Sequence, residues 1–175
     1  MKRVVVVPYD PRWVDAFALA SAQVVKQLGE NLLAIHHIGS TAIPNIHAKP
    51  VIDMLAVVRD ITRVDACNPK VEALGYQAMG EFGIEGRRYF RRDDASGIRT
   101  HQIHTFEQGS PHIDRHLAFR DFLRAHPMLA NHYSDLKRSL AQANPNDIEA
   151  YMDGKDGFIK EMEAQALAWS SARQK

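Results

Sequence analysis

Between Ile35 and Val58 the chain reads IHHIGSTAIPNIHAKPVIDMLAVV, two apolar runs flanking one polar connection, and this stretch constrains the fold more than any other. Short apolar runs bounded by turn residues predict buried strands, so the connection is where side chains are available for chemistry. Gly39 can take a backbone conformation with positive φ and leaves room for a ligand to approach. Ser40 and Thr41 add hydroxyls and amide N–H groups, the donors that a phosphate needs, and Lys49 adds a positive charge. Asp53 lies inside the second run. An unpaired carboxylate is costly to bury there, so Asp53 requires a metal, a base or a hydrogen-bond donor as its partner.

Around that stretch, 175 residues with 45% hydrophobic content suit a single domain over 1–175. The pattern divides it into a sheet-containing core over 1–108 and a helical segment over 109–170. A formal net charge of +1 gives no global attraction to nucleic acid or membrane, so neither is an expected partner and any anion site must be local. The one cysteine, Cys67, excludes an intrachain disulfide and fits a reducing cytoplasm. The apolar run after Met1 stops at Pro8, too short for a signal peptide or a membrane span, and a cytoplasmic location is expected.

Val4 to Val7 is a candidate edge strand. Asp10 and Pro11 are the expected N-cap and first residue of a helix whose apolar stripe, Trp13, Val14, Phe17, Val24, Val25 and Leu28, ends at Gly29. The segment from Asp60 to Leu74 is helical but interrupted by Pro69. Strands are expected at Tyr76 to Met79, at Arg87 to Arg92 and at Ile98 to Phe106, the last two forming a hairpin around DDASG. Three helices follow, from Pro111, from about Met128 and from NPND, the third ending near Trp169 with a frayed SSARQK tail.

HHIGSTAIPNIHAKPVID resembles the core motif of the GrpB family, and VPYDPRW, RTHQIH, HLAFRDFLRAHP and the Tyr151, Lys155 and Phe158 set extend the likeness over nearly the whole chain. That family is grouped with the nucleotidyltransferase superfamily. The resemblance implies an α+β fold: a nucleotidyltransferase-like mixed, mostly antiparallel sheet with flanking helices and a helical C-terminal segment. It also implies a Gly-Ser turn that holds nucleotide phosphates and strand acids that hold a divalent metal. Twelve residues separate Ser40 from Asp53, within the superfamily's spacing. The second acid expected on the same strand face is replaced by Leu55, which leaves a two-metal transfer short of one ligand. His104 stands where the RTH-x-x-H motif places a further ligand.

The candidate catalytic and metal-binding residues are therefore Asp53 and His104. The divalent ion is Mg²⁺ or Mn²⁺, or Zn²⁺ or Ni²⁺ if histidine dominates the ligand set. His104 can equally be a hydrogen-bonding partner of Asp53. The candidate substrate-binding residues are Gly39, Ser40, Thr41, Lys49, Arg88 and Arg99, the two arginines being the expected site-facing members of the hairpin. His101 and His104, an odd separation apart, should face opposite sides of their strand. Lys137 and Lys155 are read as surface residues. The expected function is binding of a nucleotide or another phosphorylated small molecule, with metal-dependent nucleotidyl transfer to an acceptor. The alternatives are a non-catalytic phosphate-binding module and a metal-dependent hydrolase or lyase acting on a phosphorylated metabolite.

Overall fold

The computed structural model describes residues 3–175 and divides them into two compact units. One comprises Pro11–Ile38 and Val51–Ile113; the other comprises the described residues up to Asp10, then Gly39–Pro50 and Asp114–Lys175.

The first unit is built on a five-stranded mixed sheet, giving the α+β class expected. Its strands are β1 (Leu32–Ile38), β2 (Ile52–Val58), β3 (Gln77–Ala78), β4 (Arg88–Asp93) and β5 (Arg99–Glu107), in the order β1-β2-β5-β4-β3. Only β2 and β5 run parallel. Met54, Leu55, Ala56 and Val58 of β2 are fully buried, each large apolar side chain contributing about 1.5–3 kcal/mol. Helix α1 (Arg12–Leu28) packs on β1 and β2, burying Trp13, Ala20, Val24 and Leu28. It starts one residue later than the Asp10-Pro11 signal suggests, with Pro11 as N-cap, and Gly29 ends it at φ 61° with its N–H on Val25 O. The Pro69 interruption separates a 3-10 segment, Ile61–Cys67, from the short helix α2 (Asn68–Glu72). Asp60 caps the 3-10 segment by accepting from Thr62 N–H, and Asn31 clamps Asp60 by hydrogen bonds to both its N–H and C=O.

The strand register sorts side chains onto two faces. His37 pairs with Met54 and Met54 with Ile103 on one face, where His37 stacks on Phe17 of α1 at 4.9 Å. Asp53 and Leu55 pair with Gln102 and His104, and these with Arg91 and Tyr89, on the other.

The second unit holds α3 from Asp114 onward (Pro111–Ala125 in full), α4 (Pro127–Ala143) and α5 (Ile148–Arg173). Its core is Ile43, Ile46, Ala118, Phe122, Leu123, Ala130, Tyr133, Met162 and Ala166. Pro127 begins α4, and Asp147 caps α5 by accepting from Ala150 N–H at 3.0 Å. Two sequence expectations are corrected here. Val4 to Val7 is not a strand: a single bridge joins Val7 to Ala48, and Val4 N–H instead donates to Pro145 O at 2.9 Å. Helix α5 does not stop at Trp169, because no glycine or proline interrupts Ser170 to Arg173 and the Arg173 guanidinium lies 4.5 Å over the Trp169 ring.

Candidate functional site

On the sheet, parallel pairing of β2 with β5 puts Asp53 and His104 diagonally across one face, with His104 Nε2 3.2 Å from Asp53 Oδ1. Both side chains are partly buried, 24% and 13% exposed for Asp53 and His104, so the contact is shielded yet reachable. The ring's other nitrogen, Nδ1, is 3.4 Å from Arg87 Nη1. A guanidinium only donates, so this contact assigns the lone pair to Nδ1 and the ring proton to Nε2, which donates to Asp53. Asp53 thus has the hydrogen-bond donor that its burial demands.

Arg87 is held rigidly. It donates to Phe82 O at 2.7 Å and to Glu81 O at 3.1 Å, and its guanidinium lies 4.9 Å over the Tyr89 ring. Tyr89 donates its hydroxyl to Gln102 Oε1 at 2.9 Å and accepts from Arg99 Nη1 at 3.3 Å. Burial raises the Tyr89 phenol above its ordinary range, which keeps it a donor through neutral pH. Arg99 reaches this face because β5 carries one extra residue, Thr100, where the register shifts between Arg92 and Asp93; Arg99 Nε also pairs with Asp93.

Arg88 does not join this group. Alternation turns it to the opposite face, where it grips Asp65 side-on through Nε at 2.7 Å and Nη2 at 3.2 Å. Its neighbour Arg87, one residue before β4, takes the position beside His104. His101 also faces away, contacting Arg92 Nη2 at 3.0 Å, and burial followed by the Arg92 charge lowers its pKa to about 4. Asp53 is the group on this face that could hold a divalent ion as it stands, and His104 could do so only by giving up its hydrogen bonds to Asp53 and Arg87; among the described residues no group of three or more His, Cys, Asp or Glu is placed to hold a metal. Magnesium is commonly bound by one or two carboxylates with substrate phosphates and water supplying the rest, and Asp53 fits that use. Leu55, fully buried, offers nothing to an ion.

The Gly39–Thr41 turn and Lys49 belong to the second unit. Gly39 sits at φ 74° and Asn45 at φ 66°, both in the region that glycine or asparagine tolerates. Residues Ser40–Ala42 form a 3-10 turn in which Ala42 N–H donates to Gly39 O and Ile43 N–H to Ser40 O, both at 3.1 Å. Thr41 is buried and Lys49 exposed. Arg124, which sequence patterning gave no reason to select, donates through Nε to Ala42 O at 2.8 Å, and burial lowers its pKa.

Lys137 overturns its reading as a surface residue. It is 1% exposed, its Nζ lies 4.3 Å over the Tyr133 ring, and it has no hydrogen-bond partner. Burial and then the charge of Lys155 lower its pKa to about 7. Tyr133, four residues earlier on the same helix face, was the only sequence signal for it.

These features define an α+β protein whose sheet displays one carboxylate–imidazole–guanidinium chain. The chain belongs to the GrpB family, whose model, described as "GrpB protein", matches residues 3–165. It is 45% identical over 172 residues to the UPF0157 protein YqkA of Bacillus subtilis, covering 98% of this chain and 50% of that protein. It therefore spans half the length of that curated relative. The crystal structure of GrpB from Enterococcus faecalis superposes with a TM-score of 0.91 at 44% identity, covering 95% of this chain and 99% of that one. A more distant relative, named dephospho-CoA kinase in Mycobacterium leprae, is 24% identical over 189 residues and is matched over 46% of its length. Cid1 poly(U) polymerase, with a TM-score of 0.49 at 10% identity over 75% of this chain and 45% of that one, is too distant to carry function. Among the described residues no helix is long and apolar enough to cross a membrane.

Proposed function

We propose that this protein binds a nucleotide or another phosphorylated small molecule and transfers a nucleotidyl group to an acceptor, with Asp53 and His104 as the chemical pair. The observation that supports this reading is the chain Arg87 Nη1, His104, Asp53, with spacings of 3.4 and 3.2 Å. It orients one carboxylate in a partly dry site and fixes the proton on the ring nitrogen facing it. Asp53 is then the group that accepts a proton from an acceptor hydroxyl as that oxygen bonds the α-phosphorus of a nucleoside triphosphate and pyrophosphate leaves, while His104 Nε2–H stabilises the carboxylate's orientation. Arg99 supplies positive charge on the same face. A divalent ion, when bound by Asp53 together with ligand phosphates, would neutralise phosphate charge; His104 would join as a ligand only in exchange for its present hydrogen bonds to Asp53 and Arg87. The Gly39–Thr41 turn and Lys49 are assigned to phosphate binding on the sequence pattern.

Leu55 favours a second reading, a module that binds phosphate without turnover, because β2 carries one acid where a two-metal transfer needs more. The test is a thermal-shift panel of nucleotides, dephospho-CoA and other coenzyme fragments, each with and without Mg²⁺, Mn²⁺ and Zn²⁺, followed by product analysis for every stabilising ligand. Stabilisation with product supports transfer, and stabilisation without product supports the binding module. No stabilisation by any phosphorylated compound contradicts both.

A further inference from the structure

The second unit contains a groove of about 330 Å³ that none of the residues above explains. Its position is set by the N-terminal segment, which is pinned by the Val4 N–H to Pro145 O bond and by reciprocal bonds between Val7 and Ala48, all at 2.9 Å. Arg3, His47, Arg138 and Gln142 line it, and no carboxylate does. Val4, Val6 and Pro145 provide an apolar wall.

His47 is prepared for a ligand. Its main-chain N–H donates to Ser134 Oγ at 2.8 Å, and its Nδ1 lies 3.3 Å from the same oxygen. The serine oxygen, already accepting from the main-chain N–H, meets Nδ1 either by donating its one proton or by accepting through its second lone pair. Where the hydroxyl donates, the ring presents Nε2–H to a ligand in the groove, and a ring protonated on anion binding does the same. Burial, then the charges of Arg138 and Lys137, lower the His47 pKa, while Asp135 opposes them. Asp135 is 3.8 Å from Arg138, with both side chains more than half exposed, a pairing too weak and solvated to neutralise the arginine. The groove lies beside the last turn of α4, whose dipole opposes an anion, but Leu140 O there already accepts from Asn144 through both its main-chain and its side-chain nitrogen.

We propose that this groove binds the phosphate monoester of a small phosphorylated molecule, with Arg3, Arg138 and His47 Nε2–H on the phosphate and the apolar wall under the carbon skeleton. Two guanidiniums plus a third N–H match the charge and the three terminal oxygens of a phosphate dianion better than they match a carboxylate. The site is independent of Asp53 and His104.

Inorganic phosphate, glycerol phosphate and acetate are titrated into the full chain at low ionic strength, with heat and the His47 ring proton resonances as readouts. Glycerol phosphate is expected to bind at least as tightly as inorganic phosphate, acetate much more weakly, and phosphate should raise the His47 titration midpoint. The R3A/R138A pair should weaken binding about tenfold or more, each lost charged hydrogen bond alone being able to account for that factor. D135N should tighten binding, and D53N should leave it unchanged, which separates this site from the sheet. R138K, which retains the charge, should lose less than R138A and guards against a folding artefact. Phosphate binding that is absent, unmoved by R3A/R138A, equalled by acetate or abolished by D53N overturns the proposal.

Discussion

His104 Nε2 faces Asp53 Oδ1 at 3.2 Å across two parallel strands, while the opposite edge of the same ring faces the buried Arg87. One imidazole thus couples a strand carboxylate to a guanidinium that three further contacts hold in place. The carboxylate's environment is set by the neighbouring strand and by the loop before β4, not by a second acid on its own strand.

That coupling separates two adjacent arginines. Arg87→Ala should cost about 1.5–3 kcal/mol of folding stability, because it removes a buried guanidinium packed on Tyr89 together with its charged hydrogen bonds to Phe82 O and His104 Nδ1. Arg88→Ala should cost about 1 kcal/mol or less, its partner Asp65 being half exposed. Urea denaturation of both variants decides the matter. Equal losses would mean that Arg87 is no more embedded than its neighbour.

Gly39 at φ 74° places a backbone demand on the polar connection. Gly39→Val should lower stability by about 1–3 kcal/mol, a β-branched residue being strained there, and should remove phosphate-ligand stabilisation from the thermal-shift panel. A valine variant with parental melting and parental ligand shifts would remove the turn from the account.

Lys137 should make stability rise with pH. Its folded pKa of about 7 lies below the ordinary lysine value of 10.5, so between those values the unfolded chain holds a proton that the folded chain has released. Unfolding then takes up a proton, stability climbs from pH 7 toward 10, and below pH 7 the full cost of burying the charge is present. Lys137→Met removes that cost and should be more stable than the parent at pH 6, by on the order of 3 kcal/mol, with the gap closing by pH 10. Denaturation across that range checks it. A gap that stays constant with pH would mean that the amine's protonation is not linked to folding.

The sheet was legible because β1, β2 and the β4–β5 hairpin carry apolar runs or alternation bounded by turn residues, and Pro69 announced the interruption before α2. The site was legible where chemistry was expensive: Asp53 in an apolar run had to have a partner, and His104 is that partner. What one sequence could not supply was register. Arg87 and Arg88 are adjacent, and which of them meets His104 depends on a one-residue choice that alternation alone leaves open. Lys137 was illegible for another reason. In SDLKRSL a lysine looks solvated, and only the packing of Tyr133 onto it shows that it is enclosed. The N-terminal valines failed as a strand because Val7 bridges to Ala48 while Val4 bonds Pro145, so the two do not share one partner strand.

The account rests on Asp53 being a functional carboxylate rather than a structural one, and Asp53→Asn separates these roles by sign. A carboxylate kept partly desolvated for a ligand should cost the empty protein something, so the asparagine variant should match or exceed the parent's stability while losing metal-dependent nucleotide binding. A carboxylate kept for the fold should be missed by His104, and the variant should be weakened. The decisive measurement is calorimetric titration of nucleotide with Mg²⁺ or Mn²⁺ into parent and Asp53→Asn, paired with their unfolding curves. The account predicts binding to the parent, its loss in the variant and undiminished stability; intact binding with a stability loss above about 2 kcal/mol would contradict it.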